Sequence, residues 1–313
     1  MPIKQLQEEI LNLKRNKNVI LLAHYYQPIE IQEIADFLGD SLSLSRSAKE
    51  VKKEYIIFAG VDFMAETASI LNQDKHVLIP NYESCCPMAA FLTPEMVKDY
   101  KKKHPGLPIV VYVNSTAAVK AESDICCTST NAIKIVKKIS NDFNVDSVLF
   151  GPDANLADYV EQNSNIKCIP MPKTGHCYVH SQINIDHIRD IRQKYPNAKL
   201  LVHPECIREV RDLSDFVGST GQMYKAVKNS NSHEKQFIIG TEKGLLERMS
   251  QDFPDKKFYP VMEKLICYNM KKHSLELIKY LLENLEDKAH EVKVTPEIAN
   301  KAIKPIEKML EYS

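Results

Sequence analysis

Glycine is scarce in this chain, with nine in 313 residues, and none of the nine forms a G-x-G-x-x-G turn or a Walker-type lysine loop. Dinucleotide and ATP sites of the usual kind are therefore not expected, because both need glycine where backbone must approach a phosphate. Neither sign of charge is in excess: Lys+Arg and Asp+Glu are both 41. A nucleic-acid partner, which calls for a basic face, is not expected. No apolar run approaches the ~20 residues that span a bilayer, so no membrane partner is expected either. The first residues, MPIKQLQEEILNLKRNKN, read as a charged amphipathic helix without the apolar centre of a signal peptide. A cytoplasmic protein is the expectation, and there thiols stay reduced. The eight cysteines then point to metal or catalysis rather than disulfides.

What the chain does contain is one module written three times, over residues 19–86, 109–177 and 199–267. Each copy opens on an apolar run that ends in polar groups: VILLAH, IVVYVN and KLLVHPE. Next come an Asp and, five residues on, a hydroxyl: Asp36 and Ser41, Asp124 and Ser129, Asp215 and Thr220. A second run ends in Gly (IIFAG, VLFG, FIIG), a third carries Pro (VLIP, CIPMP, KFYP), and Cys86, Cys177 or Cys267 closes the copy. Such self-similarity outranks any local signal.

Within each copy, short apolar runs alternate with helical spacing, the pattern of βαβ units on a parallel sheet. The expected strands are 19–24, 36–39, 55–59 and 76–80; then 109–113, 124–127, 147–150 and 166–170; then 199–203, 215–218, 236–239 and 256–260. Helices are expected at 3–15, 29–35, 42–53, 63–72, 94–104, 185–195, 273–286 and 295–311. The fold class is α/β: three similar three-layer αβα domains with short parallel sheets, in pseudo-threefold arrangement around a central cavity. The divisions are 1–84, 85–173 and 174–292, with the C-terminal helix of 293–313 packing back on the first domain.

Ligands bind beyond the carboxyl ends of strands in open parallel sheets, and every landmark falls at such an end. A threefold arrangement would bring Cys86, Cys177 and Cys267 to one point. Three thiolates form a soft metal site. The repeat supplies no fourth ligand to close a structural zinc site. A 4Fe–4S cluster on three cysteines instead keeps one iron open to act as a Lewis acid toward a substrate oxygen. Cys126, Cys127 and Cys168 read as core, Cys85 has no counterpart in the other copies, and Cys206 is given no role.

Ser41, Ser129 and Thr220 read as helix N-caps, and also as an anion site where helix starts converge on a polyanion. His24 and His203 end strands, as structural hydrogen-bond formers or as groups that bind carboxylates and move protons. Glu205, after Pro204, is a candidate general base; Tyr26 and Tyr112 are candidate donors or acids, and Asn114 can orient a substrate oxygen.

AHYYQ (23–27), GDS (39–41), CPMA (86–89), YVNSTA (112–117), FGPDANLA (150–157), KTGHCYVH (173–180), HPEC (203–206) and STGQM (219–223) together resemble the quinolinate synthase (NadA-type) family, from about residue 3 to the C-terminus. The resemblance implies condensation of iminoaspartate with dihydroxyacetone phosphate to quinolinate, phosphate and water in NAD biosynthesis. It implies a 4Fe–4S cluster on Cys86, Cys177 and Cys267. It places substrate contacts on His24, Ser41, Tyr112, Val113, Asn114, Ser129, His203, Pro204, Glu205 and Thr220, and acid–base roles on Tyr26 and Glu205, with His203 and Tyr112 beside them. It also implies an aspartate oxidase or dehydrogenase that supplies the imino acid. Two rivals remain at the sequence level: a three-cysteine zinc lyase or hydrolase, and an iron–sulfur sensor or anion-binding protein.

Overall fold

Parallel strands covered on both faces read as apolar runs; twelve short strands, the inner ones largely buried and most edge ones partly exposed, form the frame of a computed structural model that describes residues 2–313. The first repeat holds β1 (Val19–His24), β2 (Phe37–Gly39), β3 (Tyr55–Ala59) and β4 (His76–Leu78). The second holds β5 (Ile109–Tyr112), β6 (Ile125–Cys127), β7 (Ser147–Gly151) and β8 (Lys167–Pro170). The third holds β9 (Lys199–Val202), β10 (Phe216–Val217), β11 (Gln236–Gly240) and β12 (Lys257–Pro260). Each repeat makes one four-stranded parallel sheet in which its strands run second, first, third, fourth.

The second strand of each sheet is only two or three residues long, too short to fix its own register. The aspartate just before it does so. Asp36, Asp124 and Asp215 donate their N–H groups to the carbonyls of Leu21, Ile109 and Leu200. Their Oδ2 atoms accept the N–H of those same residues at 2.7, 2.8 and 2.7 Å. This two-way brace is why an Asp recurs at that landmark.

The ring closes on itself. The helix Leu275–Glu283 follows the third repeat and packs on the first helix, Ile3–Asn16, where Leu275, Ile278 and Leu281 share a core with Leu6 and Ile10. The first and second repeats share a larger core that includes Phe58, Met64, Val110 and Phe150, while the third keeps cores of its own.

The tail helix Pro296–Glu311 departs from expectation. It packs on helix Asp62–Leu71 of the first repeat but also on β6 and helix Ala117–Lys120 of the second. Its buried face (Ala299, Ala302, Ile306, Met309) completes the core that those two repeats share, so it seals a seam instead of capping one repeat.

Candidate active site and metal centre

Strand order reverses between the first and third strands of each sheet, and a crevice opens at such a switch point beyond the strand ends. His24 ends β1, Tyr112 ends β5 and His203 follows β9. The three crevices meet in one cavity of about 750 Å³ lined by His24, Tyr26, Ser41, Tyr112, Asn114, Ser129, His203, Glu205, Thr220, Cys86, Cys177 and Cys267. Val113 and Pro204 do not line it: the Val113 side chain lies in the apolar core, and the Pro204 carbonyl accepts from Arg211 Nη1 at 3.3 Å.

On one side of this cavity the three repeats touch. Asp40, Thr130 and Ser219, one from each repeat, meet there: Thr130 Oγ1 donates to Asp40 Oδ2 at 2.9 Å and lies 2.7 Å from Ser219 Oγ. The approach is close enough that a Cβ on Gly221 would sit 2.5 Å from Asp40 Oδ2, so glycine is required there.

The expected caps are displaced by one residue. Asp40 and Ser219 cap their helices, accepting from Ser43 N at 3.0 Å and Gln222 N at 3.3 Å, and Ser41 and Thr220 are the first helical residues. Ser129 precedes a helix that starts at Ala132 behind Asn131, which makes no side-chain cap bond. The physical reason is that a cap must accept from two or three residues ahead, and with the helices starting at Ser41 and Thr220 the preceding Asp40 and Ser219 are the residues placed to do so. None of the three predicted hydroxyls is therefore consumed as a cap.

Glu205, 3% exposed, is the polar centre. Tyr112 Oη donates to its Oε1 at 2.7 Å. His180 Nδ1 stands 2.7 Å from Oε2, out of line for a hydrogen bond. His180 stacks on His203 with centroids 4.4 Å apart. From His180 the network continues through Nε2 to Thr241 Oγ1 at 2.8 Å, then to Tyr26 Oη at 2.7 Å, which accepts from Thr220 Oγ1 at 3.0 Å. His180 and Thr241 are absent from the sequence reading; both adjoin repeat landmarks, three residues after Cys177 and one after Gly240.

The two cavity histidines have one geometry. His24 Nδ1 accepts the Tyr26 N–H at 3.1 Å, and His203 Nδ1 accepts the Glu205 N–H at 3.3 Å. That fixes the neutral tautomer with the proton on Nε2. Burial pulls His24 down to about 4 and His203 down to about 3, although nearby Asp40 and Glu205 oppose the drop. Burial alone would push Glu205 up; the His203 and His180 imidazoles and the Tyr112 hydroxyl outweigh it, and the carboxyl lies below its ordinary range. The Tyr112 bond is the contribution that does not depend on histidine charge. Burial raises Tyr26 and Tyr112 well above ordinary tyrosine, so both hold their protons.

The eight cysteines sort by position. Cys85 is exposed, Cys126, Cys127, Cys168 and Cys206 are buried, and Cys86, Cys177 and Cys267 are intermediate because each opens onto the cavity. All are free thiols. Burial raises the three cavity thiols, and Cys177 also feels the other two. Three converging thiolates are costly without a cation, and a bound metal reverses that cost. The donor set thus fits a metal group with three sulfur attachments. The donor atoms of Cys177, His180 and Glu205 also lie within 4.8 Å of one another.

Residues 8–311 match the family model described as quinolinate synthetase A protein. The chain belongs to the quinolinate synthetase A family. It is 48% identical over 306 residues to a quinolinate synthase of Pyrococcus abyssi, covering 98% of this chain and 99% of that protein. A Thermotoga maritima quinolinate synthase is 48% identical over 304 residues, covering 97% and 98%. One from Methanothermobacter thermautotrophicus is 47% identical over 312 residues, covering 99% of each chain. Family membership thus runs through all three repeats and both terminal helices. No described helix is long and apolar enough to cross a membrane.

Proposed function

We propose that this chain forms quinolinate from iminoaspartate and dihydroxyacetone phosphate, releasing phosphate and two waters, as a step of NAD biosynthesis. The observation that carries the reading is the convergence of three cysteines, one per repeat, on the same cavity as Glu205. Cys86, Cys177 and Cys267 would hold a 4Fe–4S cluster, which supplies an open Lewis-acidic iron for loss of a hydroxyl. His24 and His203, neutral, offer Nε2–H donors to carboxylates without the cost of a buried charge. Ser41, Ser129 and Thr220 offer hydroxyls beside helix starts, where phosphate and carboxylate are favoured. Tyr112 and Asn114 orient substrate oxygens; the Asn114 Oδ1 is buried and unpaired, ready for a donor. Val113 and Pro204, which do not line the cavity, act through the chain by setting the neighbouring Tyr112, Asn114, His203 and Glu205. Glu205, ionised, takes a proton from substrate carbon, and Tyr26, protonated, returns one.

A cytoplasmic setting suits the free thiols. An aspartate-oxidising enzyme, an oxidase or a dehydrogenase, supplies the imino acid. The test is anaerobic reconstitution followed by metal and sulfide counts and an assay with both substrates. Iron and sulfide at about four each per chain with quinolinate formed is the expected result. Zinc without sulfide, or a cluster without turnover, overturns the reading.

A further inference from the structure

In each repeat an acidic residue stands two positions beyond the glycine that ends the second apolar run. Gly60 is followed by Asp62, Gly151 by Asp153 and Gly240 by Glu242. Two of these acids hold the cysteine of their own repeat. Cys86 N donates to Asp62 Oδ1 at 3.1 Å and Cys267 N donates to Glu242 Oε1 at 3.3 Å, whereas Asp153 takes only Leu156 N and keeps a buried, unpartnered Oδ2. A second tie is common to all three repeats. The start of the following helix donates to the carbonyl two residues before the cysteine: Asp62 N to Ser84 O at 2.8 Å, Ala154 N to Gly175 O at 2.8 Å and Lys243 N to Leu265 O at 3.0 Å.

Helix capping does not account for the recurrence. Asp153 and Glu242 do cap, taking Leu156 N and Gly244 N at 2.7 Å each. Asp62 is not a cap but the first helical residue, behind Val61, and it still accepts its cysteine's amide. What Asp62 and Glu242 share is the cysteine. None of the three acids lines the cavity, so none meets substrate. Glu242 is 0% exposed, a placement that needs a partner to hold it.

We infer that Asp62 and Glu242 are positioning residues for the cluster ligands Cys86 and Cys267, an inference that rests on the three-cysteine reading above. With the cysteine N–H tied to the acid and the carbonyl two residues earlier tied to the helix, the peptide carrying each of these two cysteines cannot rotate. The Cα–Cβ bond then has a fixed direction, and a staggered side chain delivers the sulfur to the cavity before any iron arrives. Partners one step behind a metal ligand are worth ~10- to 100-fold in metal affinity.

The experiment measures iron release from reconstituted protein to a ferrous chelator under anaerobic conditions, with cluster absorbance and EPR as the spectroscopic record. Asp62→Ala and Glu242→Ala are compared with Asp62→Asn and Glu242→Gln, which keep an acceptor oxygen. The alanine variants are expected to lose iron ~10-fold faster than the parent, and the amide variants to restore slow release. Alanine variants that hold iron as the parent does overturn the inference, and so do amide variants as leaky as alanine. Should Glu242→Ala fail to fold, Asp62→Ala decides, because Asp62 is only half-buried. A parent protein that binds no iron and sulfide at all defeats the cluster reading instead, so the two failures are told apart.

Discussion

At the scale of single residues, the proposed chemistry rests on Glu205 and the thiols. Glu205→Gln keeps the shape of the carboxylate and removes its basicity. We expect kcat to fall by at least ~100-fold while cluster absorbance stays at the parent level, measured on anaerobically reconstituted protein. Cys177→Ala should lose iron, sulfide and turnover together, whereas Cys85→Ala should keep all three, because Cys85 is exposed and points its sulfur toward Tyr82 O, 3.7 Å away. His273 gives a pH effect of calculable sign. It is buried, donates from Nε2 to Gly60 O at 2.7 Å, and burial lowers it from 6.5 to about 4. Between those values the unfolded chain binds a proton that the folded chain refuses. Its contribution is therefore complete above pH 6.5 and declines as pH falls toward 4, by on the order of 3 kcal/mol. Denaturant titrations at pH 7 and pH 4.5 should show a smaller loss in His273→Gln than in the parent.

At the scale of elements, the aspartate brace makes a separate prediction. Asp124→Ala leaves the Ile109 N–H without its 2.8 Å acceptor, at a cost of about 1–3 kcal/mol in unfolding free energy. Asp124→Asn should recover most of it. Turnover per folded molecule should not change, since Asp124 is absent from the cavity wall. The elements were also the most legible level. All twelve strands lie within two residues of their expected places: the inner ones because a strand covered on both faces is apolar throughout, and the partly exposed edge ones because the repeat fixes their spacing from the inner strands. The caps at Ser41 and Thr220 were misjudged by one residue, since Asp40-Ser41 and Ser219-Thr220 each offer two capping side chains in a row. The seat of the helix Pro296–Glu311 was not legible either. Its spacing shows which face is buried but carries no information on what buries it. Asp62 and Glu242 went unread because an acid after a strand looks like an ordinary helix start.

At the scale of the whole molecule, the repeats are held by different ties at each seam. Between first and second, Glu66 accepts Ala117 N at 2.8 Å and Lys120 Nζ reaches Thr67 Oγ1 at 2.9 Å. Between second and third, Arg208 and Arg211 both pair with Asp158, and Arg211 Nη1 donates to Asn155 O at 2.7 Å. Between third and first, His273 meets Gly60, and Ser84 Oγ donates to Asn269 O at 2.7 Å. The tail helix adds apolar contact at the first seam only. Met309→Ala or Ile306→Ala should therefore cost about 2–5 kcal/mol in unfolding free energy, measured by denaturant titration. The loss should act on the first and second repeats together, with limited proteolysis cutting there before the third.

Because each repeat contributes one sulfur and the last of them is residue 267, no fragment that ends before it carries all three. During synthesis on a ribosome, the growing polypeptide stays chemically incomplete until its final third has emerged. On the three-cysteine reading, loading with iron and sulfide would be deferred to that point, and shorter fragments would be colourless.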